Sequence, residues 1–335
     1  MILASQGDAA NPAVAKPTTK KPKPLKKGQT IGLIAPASNA WEDIEIHFAI
    51  DIVKSLGFKV KTGEHLFDRK AYLAGEDLAR ARDLNKMFAD DEVDGIMVLR
   101  GGYGTPRILP YVDYDLIAKN PKVIVGYSDI TALLTAIHKK TGLITFHGPI
   151  AKQNYTPYTL AEFKKVLMEP SDKTEIGTPP PFESGEGQAE LRNRLRRIVP
   201  GKVRGPLIGG NLSLMTKLMG TPYEPDFNNR ILILEEVGEE PYRVDGMLTH
   251  LWLTGKLHKL AGVALGKFTD CRPSKPGPSR SLEEIFEERF QQMGIPTLRG
   301  IMVGHVSNQT TFPLGVEAEL DVDAGTLTLM ESGVA

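Results

Sequence analysis

The 335-residue sequence contains one cysteine, Cys271. A lone cysteine closes no internal disulfide, so the fold does not depend on an oxidising compartment. Net charge is lacking too: Lys plus Arg and Asp plus Glu each total 41. Neither half of the chain is a basic block, which argues against a nucleic-acid partner, for which a basic face is needed. No apolar run approaches the roughly 18 residues of a membrane helix, so no membrane span is expected. There is no HExxH, no CxxC and no pair of histidines at metal-ligand spacing, so no metal is implied. LRGGYGTP is rich in glycine, but it has neither the dinucleotide-binding spacing nor the Gly-Lys-Ser/Thr of a phosphate loop.

What remains is an ordinary globular composition, 41% apolar and 24% charged, at a length that suggests about two domains. Residues 1–28, rich in Ala, Pro and Lys and without apolar periodicity, are expected to be disordered or to lie along the surface. Only MILA is apolar there, short of the roughly 7–15 residues of a secretory signal. The alternative, a remnant of an export signal, would place the protein in the periplasm.

From Thr30, short apolar runs alternate with helical patterns: TIGLIAPAS, FKVKTG, GIMVLR and VIVGYS read as strands. IEIHFAIDIVKSLG places Ile44, Phe48, Ile52 and Leu56 at helical spacing. EDLARARDLNKMFAD is amphipathic, with Leu78, Leu84, Met87 and Phe88 on its apolar face. Such alternation implies a parallel sheet covered by helices, with ligands at the C-terminal strand ends. Residues 29–168 therefore form a first domain, and the Pro-, Gly- and charge-rich residues 169–205 a connection. Residues 206–335 form a second α/β domain, with a strand ending at Gly304-His305 and a closing hairpin in GVEAELDVDAGTLTLM.

Ser128, between VIVGY and ITALLTAI, is the best nucleophile candidate. A strand-to-helix turn lifts its hydroxyl above the sheet edge, beside the free N–H groups of a helix start. Ser128 or Asp129 as a simple helix cap explains the same segment. Among the histidines, His305 follows an apolar run and a glycine. His47, His138, His250 and His258 fall in helical patterns, His65 in a loop, and His147 at a strand end as a weaker candidate. Glu235, directly after four aliphatic residues, would be costly to bury unpaired. A Glu235–His305–Ser128 relay accounts for all three. The N–H groups of Gly101, Gly102, Tyr103 and Asp129 could then form an oxyanion hole.

Several ordered stretches carry a resemblance: IGLIAPAS, YLAGEDLARARDLNKMFADDEVDGIMVLRGGYGTPRILPYVDY, VIVGYSDITALLTAI, TFHGP, GPLIGGNLSLMTKLMGTPYEPDF, ILILEEVGEEPYRVDGML and GIMVGHVSNQTTFPLGVEAELD. From about Gly28 to Leu329 the chain resembles the LD-carboxypeptidase family of serine peptidases. The resemblance implies an N-terminal flavodoxin-like parallel-sheet domain carrying the nucleophile and a C-terminal α/β domain, with the active site in the cleft between them. It puts the catalytic serine at Ser128, the glutamate at Glu235 and the histidine at His305. The acid after Glu235 is often aspartate in the family and is Glu236 here. The implied reaction removes the terminal D-alanine from a peptidoglycan tetrapeptide, with no metal or organic cofactor. A cytoplasmic homodimer is implied as well.

A carboxypeptidase must also bind a free carboxylate, for which Arg243 and Arg107 are candidates beside site motifs, each with a surface ion pair as the plain alternative. Relatives that confer immunity to microcin C share the fold and cut aminoacyl-nucleotide amides. Nucleobase stacking would call for an aromatic residue in the connection, where Phe182 is the sole one, and this favours the peptide. A non-catalytic protein that clasps a small ligand is the third reading.

Overall fold

The computed structural model describes residues 18–183 and 185–335. The first sheet grows from β1 (Thr30–Ile34), β2 (Lys59–Thr62), β3 (Gly95–Val98), β4 (Val123–Gly126) and β5 (Thr145–His147). β3, β4 and β5 are buried throughout, as expected of parallel strands covered on both faces. The crossovers are helical: α1 (Asp43–Ser55), α2 (Asp77–Ala89), the short α3 (Thr105–Ile108) and α4 (Tyr114–Lys119), and α5 (Thr131–Thr141). The five strands run parallel in the order 2-1-3-4-5, that of a flavodoxin-like sheet. The order reverses between β1 and β3, so a ligand crevice is expected beyond their C-terminal ends.

α1 buries a different face from the one its spacing suggested. Ile46, Ala49 and Val53 face the core, whereas Ile44 is 66% exposed, Phe48 is exposed, and Ile52 and Leu56 are half-buried. The helix carries apolar residues on nearly every side, so a helical row of them does not say which row meets the sheet. In α2, Leu84, Met87 and Phe88 are buried as expected, and Leu78 is exposed.

After α6 (Pro157–Leu167) the chain builds an eight-stranded mixed sheet. Its elements are β6 (Thr174–Ile176), β7 (Arg196–Val199), β8 (Lys202–Asn211), α7 (Leu212–Lys217), β9 (Ile231–Val237), α8 (Pro241–Leu253), β10 (Gly262–Thr269), α9 (Leu282–Met293) and β11 (Thr297–Arg299). β8 to β11 are parallel. After β12 (Phe312–Leu314), the antiparallel hairpin β13 (Glu317–Asp321) and β14 (Thr326–Leu329) completes this sheet beside β8.

Three boundaries differ from the sequence expectation. The connection 169–205 is not merely a linker, since β6 and β7 join the edges of the second sheet. β12 leaves the second half and pairs antiparallel with β5 of the first sheet. Residues 18–28, expected to be disordered or to lie along the surface, are docked on it: Lys20 bridges Leu143, Leu25 donates its N–H to the Leu167 carbonyl (2.8 Å), and the Leu25 side chain is buried. Besides the backbone bonds of Lys20 and Pro22, the apolar anchor is Leu25, fitted over Gly95, where an added Cβ would lie 2.7 Å from Leu25 Cδ2. One such residue leaves no periodic signal. Residues 1–17 lie outside the described residues.

Candidate active site

β4 ends at Gly126, and the chain then turns through Ser128 at φ +65° into a 3-10 turn (Ser128–Ile130) that leads to α5. A side chain in the left-handed region costs about 1–3 kcal/mol and persists only where the surroundings hold it. Here Asp129 Oδ2 accepts from the Thr105 N–H (2.7 Å), and the Thr105 hydroxyl donates to the Asp129 carbonyl. Gly101 lies directly against the serine: an added Cβ would sit 2.9 Å from Ser128 Cβ. The turns after β3 and β4 are thus clamped together. Asp129 is buried, and its desolvation pushes the carboxyl above the usual range.

Among the described residues the N–H groups of Gly101, Gly102 and Asp129 have no hydrogen-bond partner. Tyr103, expected to share in the oxyanion hole, instead donates its N–H to Ser38 Oγ (3.0 Å). Ser38 follows β1 and so reaches the glycine turn across the switch point, a contact between strands that local sequence does not reveal.

Glu235 lies inside β9, fully buried, and its Oε2 accepts from His305 Nδ1 at 2.7 Å. Burial raises the Glu235 carboxyl above its ordinary value, against the lowering effect of His305. His305 does not end a strand as expected. β11 stops at Arg299, and Gly300 (φ +104°) and Gly304 (φ +137°) bend residues 301–308 into a loop. At Gly304 an added Cβ would be 3.2 Å from Glu235 Cβ and 3.0 Å from the Lys267 carbonyl oxygen, so the absence of a side chain lets the loop approach β9. The His305 ring meets Tyr127 edge-on, with centroids 4.9 Å apart, which brings the histidine beside the residue preceding Ser128. No hydrogen bond joins Ser128 Oγ to His305 among the described residues; such bonds commonly tighten only when substrate is present.

Glu236 has a different part. Its carboxylate accepts from Asn211 Nδ2 (2.8 Å) and the N–H groups of Ser213 (2.8 Å) and Val237 (2.9 Å), which fixes the start of α7. Asn211 in turn donates its N–H to Thr131 Oγ1 at the start of α5 (3.0 Å), so the second sheet is tied to the helix behind Ser128.

His147, ranked below His305 from sequence, is wholly buried, stacks on Phe312 (4.8 Å) and places Nε2 4.0 Å from Glu235 Oε1. Desolvation, reinforced by His305, pushes its pKa down to about 3, so the ring is neutral. Glu235 therefore lies between two imidazoles. Arg107 makes a two-pronged ion pair with Asp77 (3.0 and 2.8 Å). Arg243 is exposed on α8, 3.8 Å from Glu239 and bonded through Nε to the Tyr242 hydroxyl (3.2 Å). Neither lines the cavity that contains Tyr127 and His305.

Arg100 was missed from sequence. Half-buried at the switch point, it donates through Nη1 to the Asn39 carbonyl (3.3 Å), and its Nη2 lies 3.7 Å from where a Gly102 Cβ would be. It has no ion pair among the described residues. Its place just before the glycine pair was the available signal. Cys271 is no rival nucleophile, because burial pushes its thiol up to about 11. Glu64, His65 and Asp83 could together hold a metal ion, with ligand atoms within 4.8 Å of one another, in the loop after β2 and on α2.

Residues 31–148 match the family model of the LD-carboxypeptidase N-terminal domain, and residues 204–320 that of the C-terminal domain. A Bacillus subtilis protein named "Probable murein peptide carboxypeptidase" is 41% identical over 94% of this chain and 95% of its own. The crystal structure of muramoyltetrapeptide carboxypeptidase from Oxalobacter formigenes superposes with a TM-score of 0.75 at 29% identity, covering 90% of this chain and 98% of that one. The microcin C7 self-immunity protein MccF, in complex with aspartyl sulfamoyl adenosine, gives a TM-score of 0.85 at 28% identity over 94% of this chain and all of that one.

Proposed function

The chain belongs to the LD-carboxypeptidase family of serine-type hydrolases, and on that premise we propose that it removes the terminal D-alanine from peptidoglycan tetrapeptides. The observation that carries this reading is the 2.7 Å Glu235–His305 bond beside the strained Tyr127–Ser128 turn.

Ser128 Oγ attacks the carbonyl of the L,D-amide while His305 Nε2 takes its proton. Glu235 on Nδ1 fixes the tautomer and stabilises the imidazolium. His147, neutral and 4.0 Å from the other carboxylate oxygen, makes no hydrogen bond to it but packs beside it without adding a competing charge. The developing oxyanion is met by the unpaired N–H groups of Asp129 and Gly102 or Gly101. His305 then protonates the departing D-alanine amine, and water, activated by the same histidine, releases the acyl-enzyme. The nucleophile lies in the unit spanning 29–168 and its partners in 206–335, so the reaction takes place where the two units meet.

Unlike Arg107 and Arg243, Arg100 has no carboxylate partner among the described residues, and it lies beside the proposed oxyanion donors, outside the lining of the cavity that contains Tyr127 and His305; it is our candidate to bind the D-alanine carboxylate. Arg100→Gln is expected to raise KM roughly 10- to 100-fold, the value of a charge-assisted hydrogen bond, with a smaller change in kcat. A tetrapeptide ending in D-alaninamide should show the same KM in both proteins. Arg243→Ala serves as a comparison at the exposed arginine.

The function is tested by incubating the protein with L-Ala-γ-D-Glu-meso-diaminopimelate-D-Ala and following its mass. Loss of one alanine is expected, and an intact tetrapeptide would defeat the proposal. Cleavage of an aminoacyl sulfamoyl adenosine instead would favour the immunity-type reading. That reading is supported by the likeness to MccF, but it finds only Phe182, 43% exposed, as an aromatic in the connection. Among the described residues no helix is long and apolar enough to cross a membrane. A cytoplasmic homodimer, which the family resemblance suggests, is part of this proposal, and exposed Trp41, Ile44 and Tyr72 offer apolar surface that a second copy could cover.

A further inference from the structure

A cavity of about 880 Å³ opens between the connection, the C-terminal ends of β10 and β11, and the loop Val306–Asn308 that follows His305. Its lining carries Arg192, Arg194, Arg196, Lys267 and Arg299 against a single acid, Glu283. Two of the cations are paired, Arg196 with Glu287 and Arg299 with Glu283 (3.0 Å). Even so, Arg299 Nη1 is buried without a hydrogen-bond partner. Lys267 Nζ reaches only neutral acceptors, the Arg192 carbonyl and Asn193 Oδ1, each at 3.1 Å. Arg192 has no side-chain partner among the described residues, and Arg194 has only the Glu190 carbonyl (2.6 Å). Lys267 is the half-buried member of the group, with Glu190 as its one nearby acidic charge, while Arg192 and Arg194 are exposed at the mouth without a carboxylate partner among the described residues. A half-buried cation is costly to keep unless an anion pairs with it. Burial and the nearby Arg299 charge both lower the pKa of Lys267, which is the cost expected of such a site.

The cavity adjoins the proposed chemistry. Val306 and Ser307 also line the neighbouring space that contains Tyr127 and His305, and Thr269 Oγ1, on the cavity wall, donates to the His305 carbonyl (3.1 Å). The volume far exceeds what one departing alanine needs. The acyl side of the tetrapeptide is longer and carries two free carboxylates, one on the γ-linked glutamate and one on diaminopimelate. Resting on the function proposed above, we infer that this cavity receives the carboxylates of the acyl-side peptide, with Lys267 and Arg192 as their partners and the Glu283-paired Arg299 adding positive charge behind them. The enzyme would thereby select anionic peptides on the side of the scissile bond opposite the leaving group.

The test compares binding of L-Ala-γ-D-Glu-meso-diaminopimelate, the tripeptide product, with its analogue amidated at the glutamate α-carboxylate. Calorimetry on the full chain would use the wild type, Lys267→Met and Arg192→Gln. Amidation should weaken binding to the wild type about 10-fold, and by much less in either variant. Raising the salt concentration should weaken the acidic tripeptide more than the amidated one. Arg192 is exposed and unpartnered, so its variant is expected to fold normally, which near-UV circular dichroism would check. Equal affinity for the two tripeptides in the wild type, or an amidation effect that survives in both variants, would overturn the inference. Because binding is read without turnover, an uncleaved tetrapeptide would defeat the proposed function while this result still decided the subsite.

Discussion

Replacing Ser128 with alanine should lower tetrapeptide hydrolysis by at least about 10⁴-fold, the scale on which serine nucleophiles contribute when the rest of a site is intact. Binding of the tripeptide product should be nearly unchanged. The same position allows a second measurement, because Ser128 holds φ +65°. Alanine keeps that strain and glycine relieves it. Ser128→Gly should therefore be as inactive as Ser128→Ala and melt at a higher temperature. A turn without stored strain would give the opposite order, since glycine ordinarily costs about 0.5–1 kcal/mol relative to alanine. Thermal unfolding of the two variants, with turnover of each, checks both halves.

Glu235→Gln should reduce kcat by about 10³- to 10⁴-fold, by analogy with the loss seen when a triad carboxylate becomes an amide and no longer fixes the histidine tautomer. Its effect on stability should run the other way. The Glu235 pKa is raised above its ordinary 4.5, chiefly by burial. The folded protein therefore holds that proton more tightly than the unfolded chain, and this contribution to stability is fully present below the unfolded pKa. It is lost as pH rises through the folded value. A neutral glutamine does not suffer that loss. The melting temperature of Glu235→Gln relative to wild type should rise as pH goes from about 4 toward neutrality, measured by calorimetry across that range. A constant difference would mean that the wild-type carboxylate is fully compensated by its neighbours.

The parts of this protein that local chemistry dictates were legible from its residues. The alternation of strands and helices up to β5 follows from short apolar runs punctuated by Gly, Pro and Asp, and the turn at Ser128 from a buried strand meeting a helical pattern. Glu235 stood out because a carboxylate after four aliphatic residues needs a partner. What escaped was settled by contacts distant in sequence. α1 offered two apolar rows, and only the sheet chooses Ile46, Ala49 and Val53 over Ile44 and Phe48. The His305 segment looked like a strand because Ile301, Met302 and Val303 are apolar; they are buried, but in a loop bent by two glycines. Tyr103 could not be excluded as an oxyanion donor before Ser38 was seen to hold its N–H. His147 gains meaning from Glu235, distant in the chain, and Arg100 from the pairing of β3 with the distant β1 at the switch point.

The pairing of β12 with β5 has a consequence for biosynthesis. β5 carries His147, whose ring stacks on Phe312, and the Phe312–Leu314 strand that covers its outer edge is made only after β6 to β11. Until then a growing chain presents β5 as an open edge, the kind of surface that pairs with other chains, and it also lacks His305. Closure of the sheet, packing of His147 and delivery of the proposed base His305 therefore fall in the same interval of synthesis. A chain that has not reached this stretch has an open sheet edge and lacks the proposed base, and both conditions end when the stretch from His305 to Leu314 folds into place.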